Sequence, residues 1–485
     1  MTISIPSITL SNIGPLLTLT VAGLLLLLMD ALTPKGKKGY FPYLSLIALV
    51  IAAVQTTMLW NRSGTDFARM IYVDNFAFFF YLIFLLATAL TILISIKYLE
   101  DYHRNLEEYY TLLIFATIGM MLMAAGGHLI LIFLGLEILS IAIYILAGLF
   151  REDIKSNEAA LKYLILGAFS SAFLLFGMAM LYGATGSLFL DDLAQAIKAG
   201  VGTNPLLLFG MGLLIVGFGF KVSSVPFHMW TPDVYEGAPT SVTAFMSVGT
   251  KAAAFAAFVR IFFLVFPEIK MEWNMLLWGL AVATMTLGNV VAIAQTNIKR
   301  MLAYSSIAHA GYLLVALVAA NQLGAISFLY YLVAYTLMNI GAFAIVILVA
   351  RKKDNYINIY DYCGLGFQYP ALAAAMSVFM FALAGIPPTA GFVGKFYVFS
   401  AAVEAGYIWL AIIGVMNSLV SVFYYLRITV LMYMRPAEAE LGPVTMTPAI
   451  SSAVLLTAAG VLAIGVFPGP IYELALNSVK IFVGL

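Results

Sequence analysis

Apolar runs of about twenty residues, the length that crosses a hydrocarbon core, follow one another along nearly the whole chain. Fourteen are read, near 12–32, 40–60, 75–97, 109–126, 128–149, 159–185, 205–225, 240–266, 273–296, 301–320, 324–350, 369–386, 406–434 and 447–467. In lipid each segment must satisfy its own backbone polar groups, so uniformly apolar runs of this length fold as helices. The chain has 485 residues, 63% hydrophobic and only 10% charged, against about 25% charged in a soluble domain. The expected fold class is an all-α polytopic membrane protein, with the lipid bilayer as its solvent. The residues before the first run carry no positive stretch, which predicts a retained helix rather than a cleaved signal. The last stretch, 469–485, is too short and too punctuated to span.

The rest of the composition mostly excludes. A formal net charge of +1 gives no electrostatic case for a nucleic-acid partner. One cysteine, Cys363, cannot close an internal disulfide or build a metal site. No CxxC pair, His-rich tract or phosphate-cradling glycine motif is present. The 23 methionines and 14% aromatic residues read as lipid-facing and packing surface.

Loop charge sets orientation, because Lys and Arg accumulate on the cytoplasmic side. Taking the loops alternately, one face holds Lys35, Lys37, Lys38, Lys97, Arg104, Arg151, Lys155, Lys299, Arg300, Arg351, Lys352, Lys353 and Arg435. The other holds Arg62, Arg69, Lys198, Lys270 and Lys480. The basic-rich face is expected to be cytoplasmic, with both termini on the opposite, periplasmic side.

The segments 205–239 and 369–403 each run on past a break, at Lys221–Pro226 and at Pro387–Lys395. Each break sits on the fourth helix of a set of five, helices 4–8 and helices 9–13. Five is odd, so the second set enters the membrane from the opposite side: an inverted repeat, which in transporters places binding sites at broken helices. The expected divisions are 1–108, helices 1–3; 109–266, the first repeat; 267–434, the second; and 435–485, the last helix and tail.

Against this background four charges stand out. Lys221, Lys251, Lys395 and Glu137 lie inside otherwise apolar helices, where a charge costs at least ~2.5–3.5 kcal/mol on insertion scales. Proline frees a backbone carbonyl upstream, and freed carbonyls with Ser223 and Ser224 can solvate an ammonium. The plain alternative is a packing kink with the lysine as a cap. Desolvation favours the neutral form of carboxylate and amine alike. A Glu137–Lys221 pair can therefore exist as an ion pair or, after proton movement, as two neutral groups. The alternative is a static pair between helices. Lys251 is too central to snorkel, whereas Lys162, Arg260 and Arg427 lie near enough to helix ends to do so. His228 follows the first break, and an unperturbed histidine titrates near neutrality, which suits proton entry. His309 lies on the second helix of the second set, matched in order to the Glu137 helix; a core role and a relay role are both open. Asp233 and Glu236 are expected to be solvated or to cap the helix beginning near Thr240. Residues 187–199 form a short amphipathic helix on the outer face, with Asp191 as the candidate cap.

The run Phe227 to Arg260, FHMWTPDVYEGAPTSVTAFMSVGTKAAAFAAFVR, resembles the signature of the antiporter-like subunits of respiratory complex I, most nearly the subunit N (subunit 2) type of bacterial NADH–quinone oxidoreductase. LIFLGLEILSIAIYIL, NIKRMLAYSSIAHAGY, GIPPTAGFVGKFYVF and NSLVSVFYYLRI carry the same resemblance, which covers helices 4–13. It implies a proton channel of two half-channels joined by a polar axis. Glu137 then matches the helix 5 glutamate, Lys221 its partner on broken helix 7, Lys251 the connecting lysine of helix 8, and Lys395 the residue of broken helix 12. Lys162 matches a lysine that modulates Glu137, and His228 a histidine beside the break. It also implies other membrane subunits and a peripheral redox arm as partners, in a bacterial inner membrane. Quinone, NADH, FMN and iron–sulfur clusters are expected in the whole complex, with no cofactor and no redox centre in this chain. The alternatives are a subunit of a multi-subunit sodium/proton antiporter or membrane-bound hydrogenase, or a non-pumping assembly subunit.

Overall fold

The computed structural model describes residues 9–34, 39–102, 106, 108–350, 356–437 and 444–482. Lys35, Lys37, Lys38, His103, Arg104, Arg351, Lys352 and Lys353 lie outside these residues. The first helices are α1 (Gly14–Leu32), α2 (Phe41–Met58), α3 (Asn75–Asp101), α4 (Glu108–Ala125), α5 (Leu129–Ala147), α6 (Ile154–Thr185) and α7 (Leu190–Lys198). Then come α8 (Pro205–Val222), α9 (Thr231–Gly237), α10 (Thr240–Phe245), α11 (Lys251–Val265), α12 (Lys270–Ile293), α13 (Ile298–Ala319) and α14 (Gln322–Ala350). The last are α15 (Leu365–Gln368), α16 (Pro370–Ala384), α17 (Ala390–Glu404), α18 (Ile408–Met434), α19 (Pro448–Val466) and α20 (Gly469–Val479).

Among the described residues 13 helices are long and apolar enough to cross a membrane, and Pro370–Ala384 is a shorter apolar helix. Together they account for all fourteen runs. Local chemistry sets their ends. Asp74, Asp153, Asn204 and Asn297 each accept a backbone N–H in the first turn of α3, α6, α8 and α13, satisfying donors the helix itself cannot. Proline opens α8, α16 and α19, where its missing N–H costs nothing.

Several features depart from the sequence reading. A two-stranded antiparallel hairpin, β1 (Gly64–Asp66) with β2 (Ile71–Val73), occupies the loop before α3; three-residue strands are too short for an alternation to show. The helix at 240–266 is interrupted by a π-helical segment, Met246–Thr250, immediately before Lys251. The amphipathic α7 is present, but its N-cap is Phe189. Asp191 instead accepts from the Tyr72 hydroxyl at 2.7 Å.

Small residues let pairs of helices meet closely. A Cβ on Gly119 of α4 would lie 2.6 Å from the Gly135 carbonyl oxygen of α5, and one on Gly288 of α12 would lie 2.6 Å from the Ala308 nitrogen of α13. This backbone-to-backbone packing substitutes in lipid for a hydrophobic drive. The enclosed centre is made by α10–α11, α13 and α14, each buried almost all round, whereas α1 and α19 turn most of their surface outward. Lys251 and His309 therefore sit on two of the three most enclosed walls.

Candidate functional site

Three of the four intramembrane charges are enclosed: Lys221 is 6%, Lys251 2% and Lys395 4% exposed. Glu137 is half-buried. No ion pair joins it to Lys221. Glu137 Oε1 accepts from the Ser171 hydroxyl at 2.5 Å. Lys221 Nζ donates to Ser140 Oγ at 2.7 Å and reaches the Tyr144 hydroxyl at 3.4 Å. Ser140 and Tyr144 stand one and two turns beyond Glu137 on α5, so the two charges are joined through that helix face rather than by contact.

The first break is closed by other groups. Ser223 takes a left-handed conformation, φ 64°, and the Trp230 indole donates to the Phe220 carbonyl at 3.0 Å. Ser224 N–H and hydroxyl both donate to the Gly219 carbonyl, at 2.8 and 3.1 Å. Lys221 is thus not the cap that the plain alternative required. Its ammonium faces the Tyr163 ring at 5.8 Å; Tyr163 stacks on Trp230 at 4.3 Å, and Trp230 meets Tyr235 edge-on. Tyr235 in turn lies under Lys251, 5.9 Å from its ammonium. A series of ring contacts through Tyr163, Trp230 and Tyr235 therefore runs from Lys221 to Lys251.

Beyond those rings hydrogen bonding resumes. Lys251 Nζ donates to the Ser306 carbonyl at 2.8 Å and to its hydroxyl. The adjacent Ser305 hydroxyl meets the Tyr425 hydroxyl at 2.5 Å, and Tyr425 reaches His309 Nε2 at 3.0 Å. His309 Nδ1 pairs with the Tyr331 hydroxyl at 2.6 Å. His309 is 1% exposed and lies within electrostatic reach of both Lys251 and Lys395. At the second break Lys395 itself takes the freed carbonyls of Leu383 and Ala384, both at 2.9 Å, and the Ser418 hydroxyl at 3.0 Å. Its ammonium stands 4.9 Å over the Tyr312 ring, which packs edge-on against His309. Both breaks hold a cis proline, Val225–Pro226 and Pro387–Pro388.

The secondary candidates separate. Lys162 pairs with Glu158 at 2.6 Å and Asp233 at 2.8 Å, not with Glu137. Asp233 also binds Arg300, and Glu236 binds both Lys155 and Arg300 at 2.9 Å. Asp233 and Glu236 are therefore ion-paired rather than free or capping. The N-cap of α10 is Pro239, without a side-chain cap. Burial pushes both carboxyls up, but pairing with Lys162, Lys155 and Arg300 outweighs it and holds them below the usual carboxylate range. His228 is half-buried beside the break and bonds to none of the lysines. Arg260 is 0% exposed, which overturns the snorkelling expectation for it. Arg427 does reach outward, donating to the Tyr360 hydroxyl at 3.0 Å.

Sequence reasoning missed Ser140, Ser305, Ser306, Tyr331 and Tyr425. The tyrosines were assigned to packing with all other aromatics. The available signal was their recurrence as Tyr330-Tyr331…Tyr335 and Tyr424-Tyr425 in helices that also carry asparagine and serine.

The family model described as NADH:quinone oxidoreductase/Mrp antiporter, TM, matches residues 126–421. The chain belongs to that family. It is 51% identical over 476 residues to NADH-quinone oxidoreductase subunit N of Trichlorobacter lovleyi, covering 98% of each chain. It resembles a chain of respiratory complex I from Thermus thermophilus at 35% identity and a TM-score of 0.82, over 95% of this chain and 99% of that one. A chain of the Mrp complex from a Dietzia species shares the fold, with a TM-score of 0.85 at 20% identity over 98% of both chains. The matched region begins at α5 and ends in α18, and so contains every one of the intramembrane charges. No group of three or more His, Cys, Asp or Glu side chains among the described residues could hold a metal.

Proposed function

We propose that this chain is the subunit N type of proton-translocating membrane subunit in an NADH–quinone oxidoreductase. Electron transfer from NADH to quinone, with FMN and iron–sulfur clusters, belongs to partner subunits: other membrane subunits and a peripheral redox arm. The observation that carries the reading is the pair of hydrogen-bonded segments Lys251–Ser306 and Ser305–Tyr425–His309, meeting at adjacent serines with the Lys395 site beside them, buried at the centre of a chain 51% identical to a subunit N.

In this reading, redox-driven charge movement at a partner alters Glu137. Lys221 responds by shifting between Ser140 and Tyr144. Lys221 and Lys251 are joined by ring contacts through Tyr163, Trp230 and Tyr235, and the signal passes between them as a change of field. Lys251 then releases its proton through Ser306, Ser305 and Tyr425 to His309, and onward to Lys395. Release occurs on the basic-poor face. Lys162 and His228 act at the entry side, through the ion cluster at Asp233 and the mouth of the break.

Residues 1–108, 109–266, 267–434 and 435–485 are the working divisions. Matched packing supports the repeat: α4 lies on α5 as α12 lies on α13, and α6 lies on α8 as α14 lies on α16 and α17. Loop charge supports a bacterial inner-membrane protein with both termini periplasmic.

Lys251→Ala in the assembled complex tests the function. Loss of coupled pumping with the complex intact is expected, and pumping at the parent level refutes the reading. The likeness in fold to an Mrp complex keeps a sodium/proton antiporter subunit as the second reading. Flavin and iron–sulfur subunits co-purifying with NADH oxidation decide against it, and small antiporter subunits without redox centres decide for it.

A further inference from the structure

The helix that carries Lys251 is polar on one side of it and dry on the other. Toward the basic-rich face stand Thr240, Ser241, Thr243, Ser247 and Thr250, all buried. Toward the basic-poor face the next eight residues are Ala252, Ala253, Ala254, Phe255, Ala256, Ala257, Phe258 and Val259, none more than 1% exposed. That apolar stretch ends at Arg260, nine residues and about 13 Å along the axis at 1.5 Å per residue.

Arg260 is held from every side. Its Nη1 and Nη2 donate to the two carboxylate oxygens of Asp74 at 2.8 and 2.9 Å, and its Nε donates to the Ala124 carbonyl at 2.7 Å. The guanidinium lies 4.9 Å from the Tyr72 ring and 4.8 Å from the Phe76 ring. Asp74 also caps α3 through Ala77 N–H at 2.7 Å. Above the pair, Tyr72 is tied to Asp191, and Arg69 to Asp192, on α7. The proton-translocating reading gives this cluster no role.

We infer that the Arg260–Asp74 pair is the outer seal of the first half-channel, closing Lys251 off from the basic-poor face. The inference rests on the proton-translocating reading. A guanidinium does not give up its proton, so it cannot pass one on. Its partner carboxylate is gripped by the guanidinium on both oxygens, and Oδ1 also by the Ala77 N–H. The eight apolar residues of α11 beneath it carry no acceptor of their own. Lys251 therefore loads from the basic-rich face only and discharges only sideways through Ser306.

The test is passive proton conductance of proteoliposomes holding the complete complex, measured with a pH-sensitive dye under a potassium-diffusion potential and no NADH. Arg260→Ala with Asp74→Ala removes the plug without stranding a charge. Conductance is expected to rise by about tenfold, the change for ~1.4 kcal/mol off a barrier. Arg260→Met with Asp74→Leu refills the volume and should stay tight, since apolar replacement of a buried pair is tolerated. Should the double alanine variant fail to assemble, Arg260→Lys decides. It keeps the charge but loses the bidentate grip and can exchange a proton, so conductance should again rise. Adding Lys251→Ala to the leaky variant should close the leak. A double alanine variant as tight as the parent, or a tight lysine variant where that one decides, overturns the inference. So does a leak that survives loss of Lys251. Loss of pumping in Lys251→Ala alone would still stand in either case, so the two readings fail separately.

Discussion

Tyr425→Phe removes one oxygen atom and nothing else, at the point where the Lys251 side of the axis meets His309. The hydroxyl serves Ser305 at 2.5 Å and His309 Nε2 at 3.0 Å. Ser305 sits on a helix and can turn its hydroxyl back onto its own backbone, so its loss is small. His309 Nε2 has no such refuge, being 99% enclosed by a residue exposure of 1%. Leaving one buried polar group unpaired costs about 1–3 kcal/mol. If that cost falls on the protonated intermediate, turnover drops about 5- to 150-fold, at ~1.4 kcal/mol per factor of ten. The Tyr331 hydroxyl still holds Nδ1 at 2.6 Å, so the ring stays oriented and the fold is kept. The assay is NADH–quinone turnover together with proton uptake in inverted vesicles, on complex shown to be intact. Both rates should fall together, because a blocked relay holds back the electrons coupled to it. A variant with parent turnover and parent proton yield refutes the route through Tyr425.

Ser140→Ala removes the acceptor of Lys221 Nζ and should reduce coupled turnover about 10- to 150-fold, the ~1.5–3 kcal/mol of a charged hydrogen bond; no change would show that Glu137 and Lys221 communicate without it. Gly391→Ala places a Cβ onto the Ala382 carbonyl, so α17 cannot sit against α16; assembled complex on native gels should fall sharply, and normal assembly would show that the break tolerates separation. Asp233→Asn removes surface pairs with Lys162 and Arg300 worth about 0.2–1 kcal/mol each, so melting of the purified complex should shift little and the shift should shrink in high salt. Because pairing holds Asp233 and Glu236 below the ordinary range, their stabilising contribution is complete above the unfolded values of about 4 and is lost only as pH falls through the lower folded values. A melting curve that loses this contribution already between pH 7 and 5 would contradict the pairing.

The fourteen helices were legible because lipid demands length and apolarity from each one separately, and both are local properties. The two breaks were legible for the same reason: glycine and proline act where they stand. What escaped the sequence is what depends on partners far along the chain. Lys221 meets Ser140 across 81 residues and Arg260 meets Asp74 across 186; no spacing rule reaches that far. The direct Glu137–Lys221 pair rests on charge and on the family resemblance, and neither says which of several neighbouring hydroxyls intervenes. Tyr331 and Tyr425 were hidden because a tyrosine buried for its ring and one buried for its hydroxyl look identical in sequence. The π-helical segment before Lys251 leaves no compositional mark that propensity reasoning can use.

The freed carbonyls of the two breaks have different keepers, and this makes the two lysines unequal. At the first break Trp230 and Ser224 hold the helix end, so Lys221 is free to change partners while α8 stays closed. At the second break Lys395 is itself the cap of α16. On the proposed relay, when its ammonium swings away, the Leu383 carbonyl loses its partner, Ala384 keeps only the Ser418 hydroxyl at 3.4 Å, and the helix end loosens. On that proposal each turnover would be written into the backbone at α16–α17 and not at α8–α9. Amide exchange in the assembled complex should record the difference: faster around Ala384–Gly394 during turnover than at rest, and unchanged around Phe220–Trp230.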